Sequence, residues 1–180
     1  MEVGKRRLPL TKLLEEPMSN KAQYELHALN LGKMVGNLLT IEMGARMAVV
    51  KLDERVASQV QSQLPQVKAG DLVEFNAFTN TDDLRKTLEK YNKRAPQNCK
   101  IDIASIVNLR DALAHGRAFG FESMKSLRLL KFSRKVTEGK VVVELAQDMT
   151  DEWFKQNIEM LLSAIEKVRN AIDYEKREIV

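Results

Sequence analysis

Apolar residues recur at steps of three and four from Tyr24 through Ala28, Leu31, Val35, Leu38, Ile41, Ala45, Val49, Leu52 and Val56. That period predicts one amphipathic helix over about 20–57, ending before Pro65. Ser19 or Asn20 serves as its N-cap, with Gln23 in the capping-box position after Asn20. Gly32, Gly36 and Gly44 weaken the helix. Gly32 and Gly36 lie one turn apart, so they are either tolerated or admit the close approach of another helix. Residues 64–80, with Pro65, Gly70, Asn76 and Asn80, read as a connector holding at most one helical turn. A second helix opens at Asn80 or Thr81, carries Asp82 and Asp83 at the positive end of its dipole, and runs to about Lys93. Pro96, Gln97 and Asn98 break it. Asp102 caps a third helix, which closes near His115-Gly116, glycine being the usual residue past a helix end.

The period then changes to two. Leu127 and Leu129, then Val141, Val143 and Leu145, alternate around Thr137-Glu138-Gly139. This predicts a β-hairpin over about 126–147, with Gly139 supplying a positive φ in the turn. Thr150-Asp151-Glu152 opens the last helix, about 151–176. Its seam of Phe154, Ile158, Leu161, Ile165, Val168 and Ile172 steps strictly by four and three, as where helices pack nearly antiparallel.

The pattern therefore predicts a mainly α fold. About four principal helices form a bundle, a β-hairpin is appended after the third, and residues 1–19 with Pro9 and Pro17 form an irregular arm. At 180 residues the chain reads as a single domain, large enough to bury a core without disulfides or metals. Few glycines and prolines, 8 and 4, agree with a helical bias. The single Cys99 cannot form an internal disulfide, and no second cysteine completes a zinc pattern. Together with the lack of a signal-peptide core and of any run near ~20 apolar residues, this predicts a cytoplasmic protein without a membrane partner. A net charge of +4 permits nucleic acid without demanding it.

The chemistry concentrates in Leu109-Arg110-Asp111-Ala112-Leu113-Ala114-His115-Gly116-Arg117-Ala118-Phe119. An Arg, an adjacent acid and one of two histidines sit among Ala and Leu at the end of the third helix. Five helical residues rotate roughly 500°, which leaves Arg110 and His115 about 140° apart and ~7.5 Å apart along the axis. Either the helix end turns His115 inward, or a second copy supplies the partner. Ala112-Leu113-Ala114 predicts a small-residue surface at a two-fold interface.

Arg110-Asp111-x3-His115, entered through Ile101, Ile103, Ile106, Val107 and Leu109 and closed by Ala-His-Gly, resembles the R-polar-x3-H signature of HEPN domains. These are all-α dimers, many of them metal-independent ribonucleases of toxin–antitoxin, phage-defence and RNA-processing systems. The resemblance implies a homodimeric endoribonuclease with RNA as substrate, an antitoxin or inhibitor protein as a further partner, and no metal or cofactor. It implies Arg110, His115 and Asp111 as catalytic residues. A His transfers protons to and from the ribose 2′-OH and the leaving oxygen, and an Arg offers a planar charged fork to phosphate. Asp111 would orient a His or Arg of the other subunit. One subset of the family carries a Tyr two residues after the His; here that position is Arg117, which argues against modification of such a Tyr.

Arg117, Lys125 and Arg128 are candidate RNA contacts. The hairpin's Lys125, Arg128, Lys131, Arg134, Lys135 and Lys140, against Glu122, Glu138 and Glu144, read equally as a ribbon for phosphates or as charges blunting an exposed edge strand. His27 reads as a partly buried structural histidine, Cys99 as unreactive, and Trp153 as packing. The alternative to an enzyme is a non-catalytic helical dimerisation module that binds RNA, a nucleotide or a partner protein; the plainest reading leaves His115 as a helix-terminal cation.

Overall fold

A computed structural model describes residues 21–52, 66–121 and 124–173. The N-terminal arm, the Ser19/Asn20 cap, the continuation of the first helix to Val56 and Pro65, Glu122, and the end of the last helix near 176 lie outside the described residues. The described chain runs α1 (Lys21–Leu52), α2 (Leu84–Arg94), a 3-10 turn (Gln97–Cys99), α3 (Ile103–His115), β1 (Arg117–Phe119), β2 (Leu127–Thr137), β3 (Lys140–Met149) and α4 (Asp151–Asp173). It is mainly helical, with an antiparallel sheet of order β1-β2-β3.

α1 packs along α4, α2 against α1, and α3 between α2 and β2. One core joins Met34, Leu38, Ile41, Ala45 and Val49 of α1 to Phe154, Leu161, Ala164 and Val168 of α4, and continues through Leu88 and Tyr91 of α2 and Ile106 and Leu109 of α3. Fully buried side chains such as Leu88 and Leu161 each contribute about 2 kcal/mol by leaving water. The alternating seam of α4 is real: Phe154, Leu161 and Val168 are buried, and Ile158, Ile165 and Ile172 pack against the core at its margins.

α1 departs from its expected stripe in its first half. Tyr24 and Val35 are 60% and 46% exposed, while His27 and Met34 are buried. Apolar residues occur on several faces of that half, so the face that packs is chosen by what meets it. There His27 lies against Phe154, ring centroids 5.6 Å apart. The Gln23 amide donates to the Lys125 carbonyl; the capping box expected with Asn20 lies outside the described residues.

The cap of α2 is Asp83, whose carboxylate accepts from the Lys86 N–H at 2.8 Å. Asn80 is otherwise engaged: its Oδ1 accepts from the Asp82 N–H and from Arg46. Arg46 also donates to the Ala77, Asn80 and Asp82 carbonyls and pairs with Glu42. One guanidinium of α1 thereby ties down the connector that leads into α2.

The hairpin lies where it was expected to within two residues, and a third strand, β1, follows the motif helix directly. Arg117, Ala118 and Phe119 pair with Leu130, Leu129 and Arg128. Both turn residues, Glu138 and Gly139, have positive φ, 51° and 73°, matching the strand twist of a two-residue hairpin. Only the base of the hairpin is anchored. Leu129 and Met149 are buried, whereas Val141 and Val143 are 45% and 50% exposed, so the apolar alternation read there does not face the core.

Candidate functional site

α3 begins where Asp102 accepts from the Ser105 N–H at 3.2 Å and the Ser105 hydroxyl at 2.6 Å. These bonds hold the Asp102 carboxyl below its usual range, the hydroxyl contributing most. Ile106, Val107, Leu109 and Ala112 turn inward. Ala112 is 5% exposed and Leu113 packs against the same core, so this segment faces its own chain. The small-residue surface expected for a two-fold contact is absent there, leaving Ala114 exposed.

The helix ends at Gly116, whose N–H donates to the Ala112 carbonyl at 2.8 Å. Gly116 follows the helix as expected, but not in the left-handed region: it has φ −75° and ψ 170°, an extended geometry open to any residue. What requires glycine is closeness. A Cβ here would lie 2.3 Å from the Ala112 oxygen, 2.6 Å from Leu129 Cδ1 and 3.3 Å from the Leu130 oxygen. The chain thus passes straight from α3 into β1, pressed against β2. His115 and Arg117 flank this junction, both exposed.

Arg110, Asp111, His115 and Arg117 line one open groove of about 1100 Å³ between α3 and the hairpin. Asp111 and His115 are one turn apart on a common face. Arg110 starts on another, and its Nη1 reaches round to Asp111 Oδ1 at 3.0 Å. Within the chain the Asp111 carboxylate thus pairs with its own neighbour. The Arg117 guanidinium lies over the Phe132 ring, 5.3 Å from its centroid, a cation–π placement.

The groove also collects Arg85 from α2, and Lys131, Arg134 and Lys135 from the hairpin. Six permanent cations therefore face three acids, Asp83, Asp111 and Glu144, where the whole chain is close to balance, 29 against 25. Asp111 is paired with Arg110, Glu144 lies 3.4 Å from Lys131, and Asp83 caps α2. Among the described residues no acid pairs with Arg85, Arg117, Arg134 or Lys135. Such a surplus in a concave wall focuses positive potential on an anion. At β2 the Ser133 hydroxyl donates to the Lys135 carbonyl and accepts the Val142 N–H, filling an irregularity in the ladder at the groove wall.

Two of the expected RNA contacts lie elsewhere. Arg128 pairs with Asp148 at 3.0 Å across β2 and β3. Lys125 lines a separate cavity with Gln23, His27 and the start of α4. Arg85 was not legible as a site residue, since nothing distinguishes it from other helix-surface cations; only the placement of α2 beside α3 brings it in. Cys99 is buried, and Trp153 meets Phe154 edge-on at 5.1 Å, a packing role.

No protein-family model, curated protein or solved structure matches the chain. Among the described residues no helix is long and apolar enough to cross a membrane, and no group of three or more His, Cys, Asp or Glu is placed to hold a metal ion.

Proposed function

We propose that the groove binds RNA and cleaves it without a metal, as the HEPN resemblance implies, in a cytoplasmic homodimer. The observation carrying this reading is convergence. Four polar residues of the motif, spread around a helix end, line one groove with Arg85, Arg134 and Lys135 from two other elements. In the proposed reaction the substrate's 2′ oxygen forms a bond to phosphorus and the bond from phosphorus to the 5′ oxygen breaks. One His115 accepts the 2′-OH proton, and the His115 of the second copy protonates the leaving oxygen. Arg110 and Arg117 stabilise the charge gathering on the phosphoryl oxygens. A role as toxin or defence effector, restrained by an antitoxin or inhibitor protein, follows from the resemblance alone.

The test is incubation of purified protein with RNA in the presence of EDTA, with product ends mapped by mass spectrometry. Cleavage giving 2′,3′-cyclic phosphate and 5′-hydroxyl ends, lost in His115→Ala and Arg110→Ala with helical circular dichroism retained, is expected. Ends bearing 5′-phosphate, or undiminished cleavage by His115→Ala, would refute the mechanism.

One observation favours the alternative, a non-catalytic module for RNA, a nucleotide or a protein. No described residue hydrogen-bonds the His115 imidazole, whereas a catalytic histidine is ordinarily oriented by a partner. Tight binding of a 2′-deoxy oligonucleotide by a protein that leaves every RNA intact would select that reading.

A further inference from the structure

β3 is an edge strand, with no described strand on its outer side. Toward its tip the hairpin exposes four valines, Val136 at 63%, Val141 at 45%, Val142 at 67% and Val143 at 50%. An apolar open edge invites pairing unless charges or bulges blunt it. The Val142 N–H turns inward to the Ser133 hydroxyl at 3.1 Å. By the alternation of an antiparallel ladder, Val141 and Val143 then direct their backbone N–H and C=O outward.

The flanking charges are Lys140 and Glu144, each two residues from Val142 and of opposite sign. An antiparallel pairing of two copies, with its two-fold axis at Val142, sets each Lys140 opposite the other copy's Glu144. It also sets each Val141 opposite a Val143, so outward backbone groups meet outward backbone groups. Moving the axis one residue to Val143 puts Lys140 opposite Ala146 and Glu144 opposite Val142. Moving it again puts Glu144 opposite Glu144. Like charges directly opposite are destabilising and unlike ones favourable, so the sequence selects one register. An edge blunted by charge would carry a repelling pair here; this one carries a self-complementary pair. Glu144 already holds Lys131 through Oε2 at 3.4 Å, yet its side chain remains 44% exposed.

We propose that β3 pairs edge to edge with β3 of a second copy about an axis at Val142, giving one continuous six-stranded sheet. The contact is short, so the association belongs with weak, transient interfaces, in the micromolar range or weaker. Val141 and Glu144 also line the groove, so the grooves of the two copies open on either side of the axis. The pairing does not rest on the nuclease reading: β1, which follows His115, is the third strand from this axis, so the two-histidine site of that reading requires a separate contact between copies.

The experiment is sedimentation velocity on the full chain from about 1 to about 200 µM, bracketing the expected affinity. The wild type should dimerise with concentration. Lys140→Glu and Glu144→Lys should each weaken association roughly tenfold or more, because two attractive pairs become repulsive. A mixture of these two variants restores both pairs and should form heterodimers at wild-type concentrations. Hydrogen exchange on the wild type supplies a readout free of substitution: the Val141 and Val143 amides should become protected only at high concentration. A monomeric wild type at every concentration, single variants that associate normally, a mixture that does not associate, or edge amides that exchange alike at all concentrations would each overturn the pairing. Edge amides that exchange alike in a protein that nonetheless dimerises and cleaves RNA would remove this interface and leave the two-copy nuclease reading standing, whereas RNA cleavage by a monomer would remove both.

Discussion

Replacing Gly116 by Ala should destabilise the protein although the backbone there is ordinary. At φ −75° and ψ 170° alanine adopts the native conformation without strain, and reduced freedom of the unfolded chain would by itself stabilise by about 0.4–1 kcal/mol. Contacts decide the sign. The new methyl would stand 2.3 Å from the Ala112 oxygen and 2.6 Å from Leu129 Cδ1. Both are roughly an ångström inside the ~3.3–3.5 Å at which such atoms ordinarily touch. The nearer atom is backbone and the other belongs to a buried side chain, so relief requires moving the last turn of α3 away from β2. Overpacking of this kind costs about 1–3 kcal/mol, leaving a net loss of about 1 kcal/mol after the gain. For a chain of this size the melting temperature should fall by roughly 2–4 °C. Urea unfolding followed by circular dichroism should show a lower midpoint with an unchanged slope. Gly32→Ala is the control. Nothing lies within 4 Å of its would-be Cβ in the middle of α1, so helix propensity should stabilise by roughly 0.5–1 kcal/mol. A Gly116→Ala protein melting at or above the wild-type temperature would refute the close-approach account of this junction.

Tyr91→Phe should cost about 1–2 kcal/mol in denaturant unfolding, because the buried hydroxyl donates to the Cys99 carbonyl at 2.8 Å and the Lys167 carbonyl at 3.3 Å. Burial, followed by the neighbouring Cys99, pushes the Tyr91 phenol above its ordinary value. The unfolded chain therefore loses this proton first; the contribution is full below about pH 10 and declines as pH rises further, so Tyr91→Phe should flatten the alkaline stability slope. Arg85→Ala and Arg134→Ala should weaken binding of a 2′-deoxy oligonucleotide in fluorescence anisotropy and lower the salt slope by about 0.7 each, whereas Arg128→Ala, outside the groove, should leave both unchanged.

The seam of α4 was readable because each of its steps keeps one face apolar and the opposite face charged. The first half of α1 was not, because Tyr24 and Val35, which periodicity counts as core, are exposed, and Leu26 and Leu29 put further exposed apolar residues on other faces. β1 escaped notice for a different reason. Three residues, Arg117 to Phe119, carry no pattern, and the strand exists because Gly116 delivers it against β2. At the site, Arg110, Asp111, His115 and Arg117 were marked by their own segment. Arg85 could not be, since its membership depends on how α2 is carried beside α3, and that depends on Asp83 and on Arg46 some forty residues earlier. Lys125 and Arg128 looked equivalent to Arg134 and Lys135 in sequence; the hairpin separates them along its length.

The partnership of α1 with α4 bears on when the protein can mature during synthesis. The two longest helices meet from opposite ends of the described chain, Lys21–Leu52 against Asp151–Asp173, while α3 packs on α2 and β2 and the hairpin strands pair with each other. Closing the bundle therefore awaits emergence of the last helix from the ribosome, and such long-range closure slows folding. Until then Phe154, Leu161 and Val168 cannot cover the inner face of α1, and the support beneath the groove is incomplete. Translation order itself would delay any activity of the groove until nearly the whole described chain has been made.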